Sequence, residues 1–313
     1  MIPGTSILPG GAPSIARLDG VTKYYGKVTA LDQIHLDIRA GEVVGLLGPN
    51  GAGKTTAIHL LLGLLRPTTG MTSTLGHEPW SMAARTRTGA MLQIAKVPDT
   101  LTVREHVELT ASYYPASPPV QETLAHAGLT GLETRLFGRL SGGQKQRLMF
   151  ALAICGGPEL LFLDEPTVGL DVEARRELWQ CIRRMADAGR TVLLTTHHLE
   201  EADALASRIV VIDHGRVVAE GTPEQIKRHA VGSHIRCTTR IEEATAAGWP
   251  GVSSVERSGA TLRLVADQAE PVVRRLLDLD AELADLEVKS AGLEEALVSL
   301  THGNDNTSEE VIA

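Results

Sequence analysis

A chain of 313 residues with 30 Lys and Arg against 38 Asp and Glu carries a formal net charge of −8, and 43% of it is hydrophobic. That balance, with a pI of about 5.8, lacks the basic excess of a general nucleic-acid surface, so no nucleic-acid partner is expected. No apolar run approaches the roughly 18 residues of a membrane span, and "MIPGTSILPGGAPS" lacks the basic start and long apolar core of a signal peptide. A cytoplasmic chain is expected. Cys155, Cys181 and Cys237 share no metal-ligand or redox spacing, and the histidines show no zinc pattern.

The first 13 residues, rich in Gly, Pro and Ser, read as disordered. Order is expected from near Ile15. Ile34, Leu36 and Ile38 alternate as in a half-buried strand, closed by a turn at Ala40–Gly41. "EVVGLLG", "ELLFLDE" and "TVLLTTH" are short and apolar on both faces, as strands inside a parallel sheet are. Between them, residues 172–188 carry Leu178, Ile182 and Met185 on one helical face, with Asp171 as N-cap and Gly189 as stop. Buried strands alternating with amphipathic helices predict an α/β domain with ligands at the strands' C-terminal ends.

Residues 100–155 read as purely helical. Thr102 and Glu105 form a capping box, and "ASPPV" separates two helical stretches. "RIVVIDHGRVVAEG" predicts a hairpin turning at Asp213–Gly215. Beyond about residue 228 the pattern starts afresh. "HIRCTTRI", "TLRLVAD" and "LEVK" read as strands, and "PVVRRLLDLDA" and "LEEALVSL" as helices, the last aligning Leu293, Leu297 and Leu300. The expected organisation is a disordered stretch 1–13, a main domain 14–228 with a helical insertion over about 95–155, a small α+β domain 229–305 and a polar tail 306–313.

Chemistry concentrates at three places. "GPNGAGKTT" follows a buried strand and precedes a helix. Its glycines let the backbone curl amides onto phosphates, Lys54 supplies a point charge, and the Thr55 hydroxyl can ligate Mg²⁺. "LLFLDEP" ends a second buried strand: Asp164 would face Mg²⁺ opposite Thr55, and Glu165 can take a proton from an attacking water. His197, at the end of the third buried strand, is expected at the same sheet edge. In "RLSGGQKQRL", Ser141 and Gln144 suit a capping box, but a helix start with free amides is also an anion site.

Over residues 15 to about 228 the sequence resembles the ATP-binding subunits of ABC transporters. "GPNGAGKTT", "LSGGQKQR", "LLFLDEPTVGLD" and "LLTTHHLEEAD" stand in that family's order and at its spacing. The resemblance implies a P-loop NTPase fold of α/β class with a helical insertion and an antiparallel β subdomain, with ATP and Mg²⁺ as ligands. It places Gly48, Pro49, Asn50, Gly51, Ala52, Gly53, Lys54, Thr55 and Thr56 on the phosphates. Tyr25 matches the aromatic that stacks on adenine, and Gln93 the glutamine that contacts Mg²⁺ and the attacking water. Thr55 and Asp164 match the other metal contacts, Glu165 the catalytic carboxylate and His197 the histidine on the γ-phosphate. Ser141, Gly142, Gly143 and Gln144 match a signature loop that binds ATP held by a second subunit, with Asp171 reaching across.

Further implications are a homodimer on ATP binding, or a dimer with a related ATPase subunit, and a separate polytopic membrane permease. The chain would then lie at the cytoplasmic side of the membrane. "DLEVKSAGLEEALVSLT" is similar to the ending of ATP-binding subunits in exporters of the daunorubicin-resistance type. That points to export of a drug-like or lipid-like compound. The alternatives are an importer, a glycan exporter, or a non-transport ATPase of the same type.

Overall fold

The computed structural model describes residues 13–93, 97–229, 232–290 and 292–302. The expectations for the first 12 residues and for the polar tail fall outside them. The chain divides into two compact units, Met1–Thr222 and Pro223–Ala313.

In the first unit the strands and helices run β1 (Ser14–Tyr25), β2 (Val28–Arg39), β3 (Val43–Leu47), α1 (Lys54–Leu61), β4 (Thr69–Thr74), α2 (Met82–Arg85), β5 (Thr88–Met91), α3 (Val103–Ala111), α4 (Val120–His126), α5 (Gly142–Ile154), β6 (Leu160–Asp164), α6 (Val172–Asp187), β7 (Thr191–Thr195), α7 (Leu199–Leu205), β8 (Arg208–Asp213) and β9 (Arg216–Gly221). Six strands form one sheet in the order β5-β6-β7-β3-β8-β9, and β2-β1-β4 form a separate antiparallel sheet. The inner strands pair in parallel; β8 and β9 form an antiparallel hairpin.

The three all-apolar runs become β3, β6 and β7, and every residue in each is buried. Alternation sorts their side chains into two cores. Val43, Leu161, Leu163, Val192 and Leu194 pack with the helical layer of α3 to α6. Val44, Leu46, Phe162 and Leu193 pack on the other face with α1 and the antiparallel sheet. A strand walled in on both sides has no use for polar residues, which is why these runs are continuous rather than alternating.

Local signals fix the ends. Thr102 and Glu105 form the expected reciprocal capping box at α3. Asp171 accepts the Ala174 amide at the head of α6, and Gly189, at φ +78°, follows its C-terminus. The β8–β9 hairpin turns on His214 and Gly215, both with positive φ (47° and 76°), the backbone that a tight two-residue turn requires.

The second unit contains α8 (Pro223–Lys227), β10 (Ser233–Thr238), α9 (Glu243–Ala247), β11 (Val252–Ser258), β12 (Thr261–Ala266), α10 (Ala269–Leu279), β13 (Ala284–Ser290) and α11 (Leu293–His302). Its antiparallel sheet has the order β11-β12-β10-β13. Ile235, Cys237, Leu262 and Leu264 line one face and share a core with Trp249, Val272 and Leu276. Strand β11 and helix α9 are additions to the expected pattern, and β13 is longer than "LEVK" suggests.

Candidate functional site at the carboxyl edge of the central sheet

β3 runs into a loop, residues 48–53, that turns back into α1. Gly48 holds φ +147°, and a Cβ there would stand 2.0 Å from the Ile212 carbonyl oxygen of β8. Gly53, the N-cap of α1, is left-handed and has no side-chain cap. Among the described residues, the amides of Lys54, Thr55 and Thr56 find no acceptor, so the first turn of α1 presents free donors. The Lys54 Nζ donates to the carbonyls of Gly48 and Pro49 at 2.7 and 2.9 Å, within the curl of the loop. Burial pushes its ammonium down from the ordinary lysine range, opposed by the nearby Glu165 and Asp164 carboxylates.

Three strands deliver the acidic side. Asp164, at the end of β6, accepts the Thr195 hydroxyl on Oδ1 at 2.5 Å and the Thr55 hydroxyl on Oδ2 at 3.4 Å. A hydroxyl and a carboxylate converging at the mouth of a phosphate loop are hard oxygen donors, the set that suits Mg²⁺. The next residue, Glu165, sits in the left-handed region at φ +52°, where a non-glycine residue is strained. Its amide donates to the Thr195 carbonyl at 3.1 Å, which holds that conformation. Its Oε2 accepts the Gln93 amide at 3.0 Å and lies 3.5 Å from His197 Nδ1. Strand β7 ends at Thr195, so His197 stands two residues beyond the strand.

Lys54, Thr55, Gln93, Asp164, Glu165 and His197 therefore meet at one sheet edge. Tyr25 ends β1, half exposed, with Lys23 Nζ 5.4 Å from its ring centroid. The signature loop is elsewhere engaged. Ser141 Oγ accepts the Gln144 amide at 3.3 Å, and Gln144 Oε1 accepts the Ser141 amide at 3.0 Å. Both side chains thus cap their own helix, while the amides of Gly142 and Gly143 find no acceptor among the described residues. A Cβ on Gly143 would lie 2.9 Å from the Ala174 Cβ, so the heads of α5 and α6 abut. No hydrogen bond or ion pair among the described residues joins this loop to the Gly48–Thr56 loop.

Two supports escaped the sequence reading. Thr195, fully buried, clasps both Asp164 and the Glu165 amide. Gln146, on α5, donates to the Pro166 carbonyl at 2.9 Å and so ties the signature helix to the loop after Glu165. A second threonine in "TVLLTT" is the only sequence signal for the first; the second lies inside "LSGGQKQR".

Residues 31–168 match the family model described as ABC transporter. A daunorubicin resistance ATP-binding protein of Streptomyces coeruleorubidus is 38% identical over 317 residues, covering 96% of this chain and 99% of its own. A Nod factor export ATP-binding protein I of Burkholderia thailandensis is 38% identical over 277 residues, covering 84% and 90%. Among solved structures, a dimeric ATP-binding cassette in a post-hydrolysis state bound to ADP and phosphate matches with TM-score 0.60 and 28% identity, over 66% of this chain and 98% of that one. With the phosphate loop, the paired carboxylates and the signature loop in the positions described, the chain belongs to the ATP-binding subunits of ABC transporters and is an ATPase.

Proposed function

We propose that the chain powers export of a drug-like or lipid-like compound through a separate polytopic membrane permease, docked at the cytoplasmic side of the membrane as an ATP-dependent dimer. The observation that carries the hydrolytic reading is the convergence of Lys54, Thr55, Asp164, Glu165, Gln93 and His197 at or beyond the ends of β3, β5, β6 and β7. Export is supported by relatives named for daunorubicin resistance and for Nod factor export. No helix among the described residues is long and apolar enough to cross a membrane, which accords with a pore supplied by a permease.

The Gly48–Thr56 loop takes the phosphates of ATP, Lys54 exchanging its carbonyl partners for phosphate oxygens, and Tyr25 takes the adenine. Thr55 and Asp164, with Gln93 beside them, would hold Mg²⁺, which when bound would supply neutralisation of developing phosphate charge. Glu165 accepts the proton of the attacking water as its oxygen bonds to the γ-phosphorus and ADP departs; Gln93 and His197 orient carboxylate, water and γ-phosphate. Ser141, Gly142, Gly143 and Gln144 engage ATP bound by the partner subunit, with Asp171 at the dimer seam. In this reading residues 14–228 make the cassette, with 95–155 as its helical part, and 229–305 an accessory domain; the compact units divide slightly earlier, after Thr222, so α8 goes with the accessory domain.

Glu165→Gln keeps the shape and loses the proton acceptor. Its turnover should fall by about 10²–10⁴, and the variant should accumulate as an ATP-bound dimer on size-exclusion chromatography. Near wild-type hydrolysis would overturn the assignment. Affinity purification from solubilised membranes should recover a polytopic protein; recovery of ribosomal proteins instead would sink the transport reading.

A further inference from the structure

Glu201 looks in the sequence like one of two surface acids in "LEEAD", yet its relative exposure is 0%. It lies on α7, just past the loop that carries His197. Burying a carboxylate is expensive unless donors compensate it. Here the compensation comes from neutral donors. The Trp179 indole Nε1–H donates to Oε1 at 2.9 Å and the Thr167 hydroxyl donates to Oε2 at 3.2 Å, while the nearby Thr196 hydroxyl favours the charged carboxylate. The guanidinium of Arg175 adds only a weak attraction, and burial pushes the carboxyl above the usual range.

The three groups around the carboxylate come from three segments of different function. Thr167 lies in the loop between Glu165 and Asp171. Thr196 immediately precedes His197, and its hydroxyl accepts the His198 amide at 2.9 Å, which shapes that loop. Trp179 stands on α6, the helix that Asp171 caps. A group serving stability alone would be cheaper as a leucine in this setting. A carboxylate can accept from Trp179 and Thr167 at once, one on each oxygen.

We propose that Glu201 is a positioning residue for ATP hydrolysis, a buried clasp that fixes the Glu165–Asp171 loop and the His197 loop to each other. The inference rests on the roles assigned above to Glu165 and His197. With the clasp in place, the carboxylate, the histidine and the aspartate at the head of α6 move as one body. Without it, Glu165 and His197 each follow their own loop, and the 3.5 Å between them is no longer held.

The test compares Glu201→Leu with Glu201→Gln by steady-state ATPase kinetics, fluorescent ATP-analogue binding and thermal melting. Glutamine can still accept the Trp179 indole and can donate to the Thr167 hydroxyl, so it should retain most of the turnover. Leucine should lower kcat by between about ten- and a hundredfold, the cost of a small misplacement, with nucleotide affinity nearly unchanged. A folded Glu201→Leu protein with wild-type kcat and only a lowered melting temperature overturns the proposal. Should leucine fail to fold, Thr167→Val and Trp179→Phe provide the same reading. Their effects on kcat should be non-additive, since each breaks the same clasp, and strict additivity overturns it. Glu165→Gln is the accompanying control. If that variant is active, the underlying assignment fails; if it is dead while Glu201→Leu turns over normally, only the clasp fails.

Discussion

Substituting alanine at Gly48 and at Gly51 separates two reasons for glycine within one loop. Both have positive φ, +147° and +84°. At Gly51 an added Cβ meets nothing within 4 Å, so Gly51→Ala pays only for the backbone, about 1–2 kcal/mol. At Gly48 the Cβ would stand 2.0 Å from the Ile212 oxygen and 3.1 Å from its carbon, both backbone atoms of the neighbouring strand. They cannot rotate aside, so β3 and β8 must part by an ångström or more. Strain of about 1–3 kcal/mol joins overpacking of about 1–3 kcal/mol, giving Gly48→Ala a cost of roughly 2–6 kcal/mol. At about 2–4 °C per kcal/mol for a cassette of this size, the melting temperature should fall by roughly 5–20 °C. Differential scanning fluorimetry measures this directly, and ATP-analogue binding should be lost with it. Equal melting temperatures for the two alanine variants would refute the steric argument and leave φ alone as the reason for Gly48.

Mixing Lys54→Ala subunits with Ser141→Arg subunits, each inactive alone, should restore some ATP-driven dimerisation and hydrolysis, because one composite site then has both intact parts. Mixed dimers that form but stay inactive would show that Ser141 serves only its own helix. Arg87 donates two hydrogen bonds to Glu159, at 2.6 and 2.7 Å, and holds its carboxyl below the usual carboxylate range. A depressed folded-state value means stability present above the ordinary carboxylate value and lost as pH falls through the depressed one. Arg87→Ala should therefore be less stable than wild type near neutrality, with the gap closing in acid. Both side chains are about four-tenths exposed (42% and 43%), so urea titrations should put that gap at no more than about 1 kcal/mol.

The parts of the fold legible in the sequence were those whose signal is local. β3, β6 and β7 declare themselves because burial on both faces leaves unbroken Val and Leu. The capping boxes at Thr102 and Ser141 and the His214–Gly215 turn depend only on neighbours in the chain. β1 was largely hidden because its register shifts around Gly20 break the alternation, and β4, "TGMTST", is too polar to announce a strand. β11 was obscured likewise: its polar positions make it look like a connection between β10 and β12. In the site, Lys54, Asp164 and Glu165 could be found from motif spacing. Their supports could not, because Thr195, Gln146 and Glu201 act through residues some 20 to 34 positions away. A buried Glu201 and an exposed Glu200 are the same letter until α7 packs.

The place of β3 in its sheet has a consequence for biosynthesis. β3 pairs only with β7 and β8, Val43 opposite Val192 and Val44 opposite Arg208, so both its neighbours are translated some 150 residues after it. The phosphate loop that β3 carries leans on the same late segment: Gly48 against Ile212, and the Ala52 carbonyl accepting the Gly215 amide. A ribosome that has released only the first half of the cassette therefore holds an apolar strand with neither partner and a nucleotide loop with no floor. Such non-local pairing forms slowly, and its unpaired edges are prone to wrong contacts meanwhile. The nascent chain cannot acquire competence for ATP until β8 and its hairpin emerge, so nucleotide binding reports that the whole cassette has been made.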